Sequence, residues 1–258
     1  MNNPNEMIRQ KVGILLGAPT TCWAASSRRD YDVLPLRYFI LALNRVQTAY
    51  EFSFPDHEPV PTAKECTEEE LLQKVESIRG AISPGVDYLI IITTSRISGN
   101  LFFTTASPVA AITTDTWEKY FSPPSLFEYL LHCLSACLLF MHPKLHLDSH
   151  RDTRGCVLDY TGWKPDDRVD IALGYICDSD RTHIRQRLGD SFLEEMHSVI
   201  SRKWIGSTND HGSVAYNLKH YFRFDIDRDS GFNKNFWERA KAKFDEVQAR
   251  DLKQYCSL

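Results

Sequence analysis

The stretch from Leu126 to Met141 constrains the fold of this chain most, because apolar residues occur on nearly every side of the helix it predicts. Such a helix is stable only when other elements surround it. With 258 residues, of which 43% are hydrophobic, the chain is long enough to build that core. Cys133 and Cys137 lie one turn apart on this helix and are predicted as buried thiols. The apolar run falls short of the roughly 20 residues that a membrane span needs, so no transmembrane helix is predicted.

Segments of strand and helix character alternate before this helix, which is typical of an α/β architecture. Predicted strands cover 11–16, 50–54, 86–93, 101–105 and 109–113. Predicted helices cover 34–49, 67–78, 126–141, 166–172, 181–188, 190–202 and 236–255. Thr67 and Glu70 have the spacing of a capping box at a helix start. We therefore predict a mixed α/β (α+β) fold, with a flexible N-terminus over 1–10, an α/β domain over 11–188 and a helical C-terminal region over 189–258.

Charge and cysteine content narrow the class of protein. The 30 basic and 34 acidic residues give a net charge of -4, which does not indicate nucleic-acid binding. The first ten residues lack a signal-peptide pattern, so we expect a cytoplasmic protein without a membrane partner. Seven cysteines, an odd number in a chain of this size, favour buried thiols or metal ligands over a disulfide framework.

Residues 142–183 concentrate side chains that bind metals. This segment contains His142, His146, His150, Cys156, Cys177, Asp180 and His183. Zinc is the metal that Cys sulfur and His nitrogen suit best. The preferred ligand set is His150, Cys156, Cys177 and Asp180, with His146 and His183 in reserve. Gly155 permits a tight turn before Cys156. The alternative is that both cysteines are ordinary buried residues and the histidines are solvated.

The order of these elements, with the long helix followed by a His/Cys loop, resembles the core of zincin-type metalloproteases, especially the archaemetzincin-like branch. The resemblance covers about residues 11–185. In that family the long helix carries an HExxH motif that binds a catalytic zinc. Here Glu128 and His132 are present on the helix, but Phe127 and Leu131 stand at the two histidine positions. The resemblance therefore implies a zincin-like mixed sheet without the catalytic signature.

Two further segments, 154–160 and 174–180, resemble a zinc knuckle of the form H…GC…CxxC in bacterial conflict-system proteins. Asp180 replaces the last cysteine of that form. The resemblance implies a peptidase fold retained for binding: a non-catalytic binding or scaffolding protein with a structural zinc and a protein partner. It also implies a place in a bacterial defence or signalling assembly.

Other functions remain open on the sequence. A metal-dependent hydrolase could use a non-standard set, namely Glu128, His132, His142 and His146, with Glu128 and His132 as an acid/base pair. A small-molecule or nucleotide sensor could use loops at strand ends, near Thr20, Arg28, Thr94 and Arg96, of which Arg28 and Arg96 are the candidate ligand-binding residues. The acidic stretch at 225–231 fails the register of a calcium loop, because Ser230 and Phe236 occupy the required Gly and Glu positions.

Overall fold

The computed structural model describes residues 9–17, 33–82, 85–115, 125–151, 155–160 and 167–223. These residues belong to two compact units. Described residues up to Asp115, together with 140–143, belong to the first unit, and those in 125–139 and 144–223 belong to the second.

A mixed five-stranded sheet is the centre of the first unit. The described part of the chain has seven strands, of which five form this sheet. They are β1 Gln10–Leu16, β2 Tyr50–Ser53, β3 Glu65–Cys66, β4 Tyr88–Thr93, β5 Arg96–Ile97, β6 Phe103–Ala106 and β7 Val109–Thr113. The main sheet has the order β2-β1-β4-β7-β6. Its pairs are parallel except for β6, which runs antiparallel to β7. The short strands β3 and β5 form a separate parallel pair. The predicted mixed α/β class is confirmed.

Strand β4 occupies the middle of the sheet because it can be buried on both faces. All six of its residues are buried, and three of them are consecutive isoleucines. Parallel strands covered on both faces have such continuous apolar sequences, and β-branched side chains pack well on the pleated surface. In register, Leu89 pairs with Val109 and Ile92 with Ile112.

The described helices are α1 Val33–Ala42, α2 Glu68–Ala81, α3 Leu126–Met141, α4 Asp167–Leu173, α5 Asp178–Ile200 and α6 Val214–Phe222. Helix α2 begins with the predicted capping box: the Glu70 amide donates to Thr67 Oγ1, and the Thr67 amide donates to Glu70 Oε2. Its buried residues Leu71 and Val75 belong to one apolar cluster with Leu89 and Ile91 of β4. The helix thus covers one face of the sheet.

The predicted buried helix is confirmed as α3, and Cys133 and Cys137 on it are completely buried. Its start is a second capping box, in which the Glu128 amide donates to Ser125 Oγ and the Ser125 amide donates to Glu128 Oε2. Arg202 also donates to the Glu128 carboxylate. Within the described part of the chain, no helix combines the length and apolar character needed to cross a bilayer.

Several predicted boundaries were wrong for local reasons. The helix predicted over 34–49 ends at Ala42, with a short 3-10 turn over Leu43–Arg45. Gln47 then bonds both backbone polar groups of Tyr50, at 2.7 and 2.8 Å, and this replaces helical bonding with a turn into β2. The strand predicted over 50–54 accordingly ends at Ser53.

The other differences concern short or late elements. The short strands β3 and β5 and helix α6 were not predicted. The two helices predicted over 181–188 and 190–202 correspond to the two parts of α5, which begins at Asp178, breaks at Gly189 and ends at Ile200. The predicted helix over 236–255, the stretch at 225–231 and the N-terminal residues 1–8 lie outside the described residues.

The buried imidazole of His132 on α3 predicts a loss of stability in mild acid. The side chain is 5% exposed, and its buried Nδ1 has no partner among the described residues. Burial lowers the pKa of His132 to about 4. Below pH 6.5 the His132 imidazole is therefore protonated in the unfolded chain but stays neutral in the folded protein. The free energy of unfolding accordingly falls as the pH falls toward 4. At pH 5 the loss is about 2 kcal/mol.

Urea unfolding at pH 7.5 and pH 5 measures this effect. We expect His132→Leu, which cannot titrate, to lose about 2 kcal/mol less than the wild type between the two pH values. The comparison of the two proteins removes the contribution of every other titrating group. An equal pH dependence in both proteins would contradict the assignment of this loss to His132.

Candidate metal centre

Short backbone bridges bring the ligand side chains of the second unit together. The amide of His150 donates to the carbonyl of Leu158 at 3.0 Å, and the amide of Val157 donates to the carbonyl of Tyr175 at 2.7 Å. The first bridge places His150 beside the turn that contains Cys156. The second places Cys156 beside the segment that leads into α5.

Helix α5 supplies the other two side chains from its first turn. Cys177 is the residue before the helix, and its carbonyl accepts the first intrahelical bond, from the Arg181 amide at 2.9 Å. Asp180 lies in the first turn and is buried. Negative charge is favoured at this end of a helix, because the unpaired backbone amides point outward from it. A thiolate and a carboxylate are therefore well placed here.

The four predicted side chains converge on one point. One possible ligand atom from each of His150, Cys156, Cys177 and Asp180 lies within 4.8 Å of the other three. Asp180 Oδ2 is 3.1 Å from His150 Nε2, 3.3 Å from Cys177 Sγ and 3.4 Å from Cys156 Sγ. His150 Nε2 and Cys177 Sγ are 3.8 Å apart. Within the described residues this is the one group of three or more such side chains with this geometry.

These distances fit the shell of a single zinc ion. With bonds of about 2.0–2.3 Å to N, O and S, the ligand atoms of a tetrahedral zinc are about 3.2–3.8 Å apart. Four of the separations in the cluster, 3.1, 3.3, 3.4 and 3.8 Å, are close to this range. Two sulfurs and one imidazole nitrogen also match the softness of zinc better than that of magnesium or calcium. The residues present therefore fit a zinc ion.

A fifth side chain, Asp159, holds two of the four in place. Its Oδ1 lies 2.8 Å from His150 Nδ1, and its Oδ2 accepts a hydrogen bond from the Cys156 amide at 3.0 Å. A carboxylate on Nδ1 fixes the tautomer in which Nε2 is free to bind a metal. Asp159 was not among the residues predicted from the sequence. The available signal was a repeated spacing, since Cys156 and Asp159 are three residues apart, as are Cys177 and Asp180.

The electrostatics of this cluster favour positive charge at its centre. Hydrogen bonds to Asp159, Asp180 and Cys177 raise the pKa of His150 to about 12. The pKa of Cys177 is lowered to about 5, first by the hydrogen bond from Cys156 and then, against the effect of burial, by His150 and Ser179. The pKa of Cys156 is raised, because this thiol donates to Cys177 and is buried. In the absence of a cation, protons are therefore retained between these ligand atoms.

The backbone also suits the cluster where glycine was predicted to matter. Gly155 has φ 81°, a left-handed conformation that other residues rarely adopt. The turn before Cys156 thus has a backbone conformation that glycine permits, as predicted.

The remaining candidate residues lie elsewhere in the described structure. The reserve ligand His183 uses Nε2 to contact the carbonyl oxygen of Leu145 at 2.6 Å, and neither it nor His146 belongs to the four-residue cluster. Glu128 caps α3 and pairs with Arg202, and no hydrogen bond joins it to His132. Neither of these two, nor His142, belongs to a second group of clustered metal-binding side chains in the described residues.

The two candidate ligand-binding arginines were predicted from strand-end loops. Arg96 is exposed on β5, where its amide donates to the carbonyl of Lys64 at 2.9 Å. Arg28 and Thr20 lie outside the described residues. The sensor function therefore stays a prediction.

Comparisons with known proteins give a weak likeness to solved structures. No family model matches the chain, and no curated protein matches its sequence. Among solved structures the chain is similar to archaemetzincin from Methanopyrus kandleri, with a TM-score of 0.43 and 12% sequence identity. The alignment covers 70% of this chain and 96% of that chain. This similarity assigns no role to any residue of the cluster.

Proposed function

We propose that His150, Cys156, Cys177 and Asp180 bind one Zn²⁺ as a structural ion, and that the chain acts as a non-catalytic binding or scaffolding protein. The observation that carries the metal proposal is the convergence of these four side chains, with donor atoms within 4.8 Å of one another. Four protein ligands complete the tetrahedral shell of zinc, whereas catalytic zinc sites keep one position for water or substrate. The bound ion would join the segment of His150 and Cys156 to the start of α5.

Elemental analysis of protein purified without added metal tests the proposal. We expect about one zinc per chain in the wild type and much less in Cys156→Ser and Cys177→Ser. Cys66→Ser is the matched control, because Cys66 is a half-buried thiol of β3 outside the cluster. A folded wild-type protein that contains no zinc and takes up none from solution would refute the proposal.

Substitution of Asp180 separates a ligand from a residue that only forms hydrogen bonds. Asp180→Cys converts the sequence from Cys177 to residue 180 into a CxxC pair, and we expect it to retain zinc. Asp180→Ala removes the ligand atom and is expected to lose zinc. If Asp180 served only to accept hydrogen bonds, a thiol at this position could not take over its function. Equal zinc content in both variants would therefore contradict ligation by Asp180.

Cobalt replacement distinguishes the structural site from the hydrolase alternative. Co²⁺ bound to two thiolates in a tetrahedral site absorbs visible light, and its spectrum reports the number of ligands. In a closed site, acetohydroxamate finds no position on the metal and the spectrum stays unchanged. A spectral shift on adding acetohydroxamate would instead favour an open, catalytic site.

Asp159→Asn is expected to weaken zinc binding without abolishing it. The amide leaves the size of the side chain unchanged but removes the charge that orients His150 and raises its basicity. Loss of such a partner weakens metal binding by about 10–100-fold. Competition with a chromophoric chelator measures the change. An unchanged affinity would show that Asp159 plays no part in positioning the ligands.

A further inference from the structure

The two thiols of the candidate metal centre are close enough to react with each other. Cys156 Sγ and Cys177 Sγ lie within 4.8 Å, and the Cys177 amide donates to Cys156 Sγ at 3.3 Å. The bridge between Cys156 and Tyr175 keeps the two backbone segments adjacent. Disulfide formation needs neighbouring backbones and converging sulfurs. The bridge supplies the first, and the separation of the two Sγ atoms supplies the second.

We propose that Cys156 and Cys177 are a reversible disulfide site, in which peroxide oxidises the metal-free pair and the disulfide excludes zinc. This inference rests on the proposed function, since it describes how the same site would be regulated. The two states exclude each other because zinc needs both sulfur atoms as thiolates. In the disulfide, His150 and Asp180 remain as two ligands, too few for a structural zinc site.

The accessibility of the two sulfurs sets the order of the reaction. Residue Cys177 is 4% exposed and Cys156 is fully buried, so we expect peroxide to react with Cys177 first. Cys177 Sγ attacks one peroxide oxygen, the O–O bond breaks, and the released hydroxide takes up one proton and leaves as water. Cys156 Sγ then attacks the resulting sulfenic sulfur, and the second hydroxide leaves as water with the Cys156 proton. Two thiols are oxidised to one disulfide while one peroxide is reduced to two waters.

The other described thiols provide controls. Cys133 and Cys137 are fully buried on α3, and Cys66 is half buried in β3. None of the three belongs to the metal cluster. Oxidation that depended only on exposure would affect Cys66 before Cys177. Selective pairing of Cys156 with Cys177 would instead require their proximity.

The test treats the full chain with a chelator, then with hydrogen peroxide, and maps the disulfides by mass spectrometry of peptides. We expect a Cys156–Cys177 cross-link in the wild type and in Cys66→Ser, and none in Cys156→Ser or Cys177→Ser. The cross-linked protein should bind no zinc until dithiothreitol restores the thiols. In zinc-loaded protein the rate of cross-linking should be lower by about tenfold or more, because the metal occupies the sulfur lone pairs.

The possible failures can be told apart. Zinc binding without any cross-link, with Cys177 oxidised to the sulfinic acid instead, would overturn this inference and leave the proposed function intact. A cross-link in a chain that never binds zinc would overturn both the proposed function and the mutual exclusion of the disulfide and zinc. Equal rates of cross-linking with and without bound zinc would overturn the mutual exclusion.

Discussion

Replacement of Cys177 by serine is expected to abolish zinc binding and to lower the free energy of unfolding by about 4 kcal/mol, when free zinc exceeds the wild-type dissociation constant about a thousandfold. The size of the effect follows from linkage, since an ion that binds only the folded state stabilises that state. Serine fills nearly the same space but offers a poor zinc ligand in place of a thiolate. The decrease in the free energy of unfolding therefore reflects the loss of metal binding more than a change in packing.

Thermal or urea unfolding with and without added zinc measures this effect. Zinc should stabilise the wild type and Cys66→Ser, and it should leave Cys177→Ser unchanged. In the presence of a strong chelator, the difference between the wild type and Cys177→Ser should largely disappear. If the variant stays less stable by the full amount under chelation, the cause is packing around the side chain and not metal binding.

Replacement of Gly174 by alanine is expected to lower the free energy of unfolding by about 3–4 kcal/mol. Gly174 has φ 54°, and a left-handed conformation costs a residue with a Cβ about 1–2 kcal/mol. The added Cβ would lie 2.7 Å from Ile200 Cγ2 and 2.8 Å from the Ile200 carbonyl oxygen. Overpacking of this kind adds about 1–3 kcal/mol, and the backbone oxygen cannot move without disturbing the end of α5.

Gly80→Ala is the matched control for this prediction. Gly80 lies within helix α2, and an added Cβ there would meet no atom within 4 Å. Alanine should therefore stabilise the protein by about 0.5–1 kcal/mol. Urea unfolding of both variants gives the comparison. A change of similar size and sign at the two positions would contradict the role assigned to the contact with Ile200.

Gly174→Ala should also weaken zinc binding, because Gly174 precedes the segment that carries Cys177. A shift of this segment moves Cys177 relative to Cys156, which the bridge to Tyr175 otherwise holds in place. Chelator competition on the folded variant measures the change. Unchanged zinc affinity in a strongly destabilised variant would show that the cluster is insensitive to this turn.

Local signals predicted much of the fold. The capping box at Thr67, the isoleucines of β4 and the apolar helix α3 all depend on interactions within one segment. The early end of α1 depends on Gln47, whose side chain replaces helical bonds with a turn to Tyr50. The two-residue strands β3 and β5 exist only because they pair with each other, and their sequences carry no periodicity long enough to detect.

The candidate site was predictable as a set of residue types, but its arrangement was not. Cysteine and histidine in one segment indicated a metal and a ligand set, because few other roles favour that composition. The role of Asp159 depends on the bridge that places it beside His150, and the repeated three-residue spacing of Cys and Asp does not indicate that bridge. His183 was a plausible ligand by spacing alone, yet its ring faces the carbonyl oxygen of Leu145.

The break at Gly189 divides helix α5 into two segments that should open independently. Gly189 has φ 85° and ψ 171°, so helical hydrogen bonding does not run continuously through it. Beyond it, Phe192, Leu193 and Met196 are among the residues buried in the core, whereas Ile184 is the buried apolar residue of the segment 178–188. In hydrogen exchange, amides of 178–188 should therefore be protected only while the ion is bound. Amides of 190–200 should exchange mainly through global unfolding, with or without the ion.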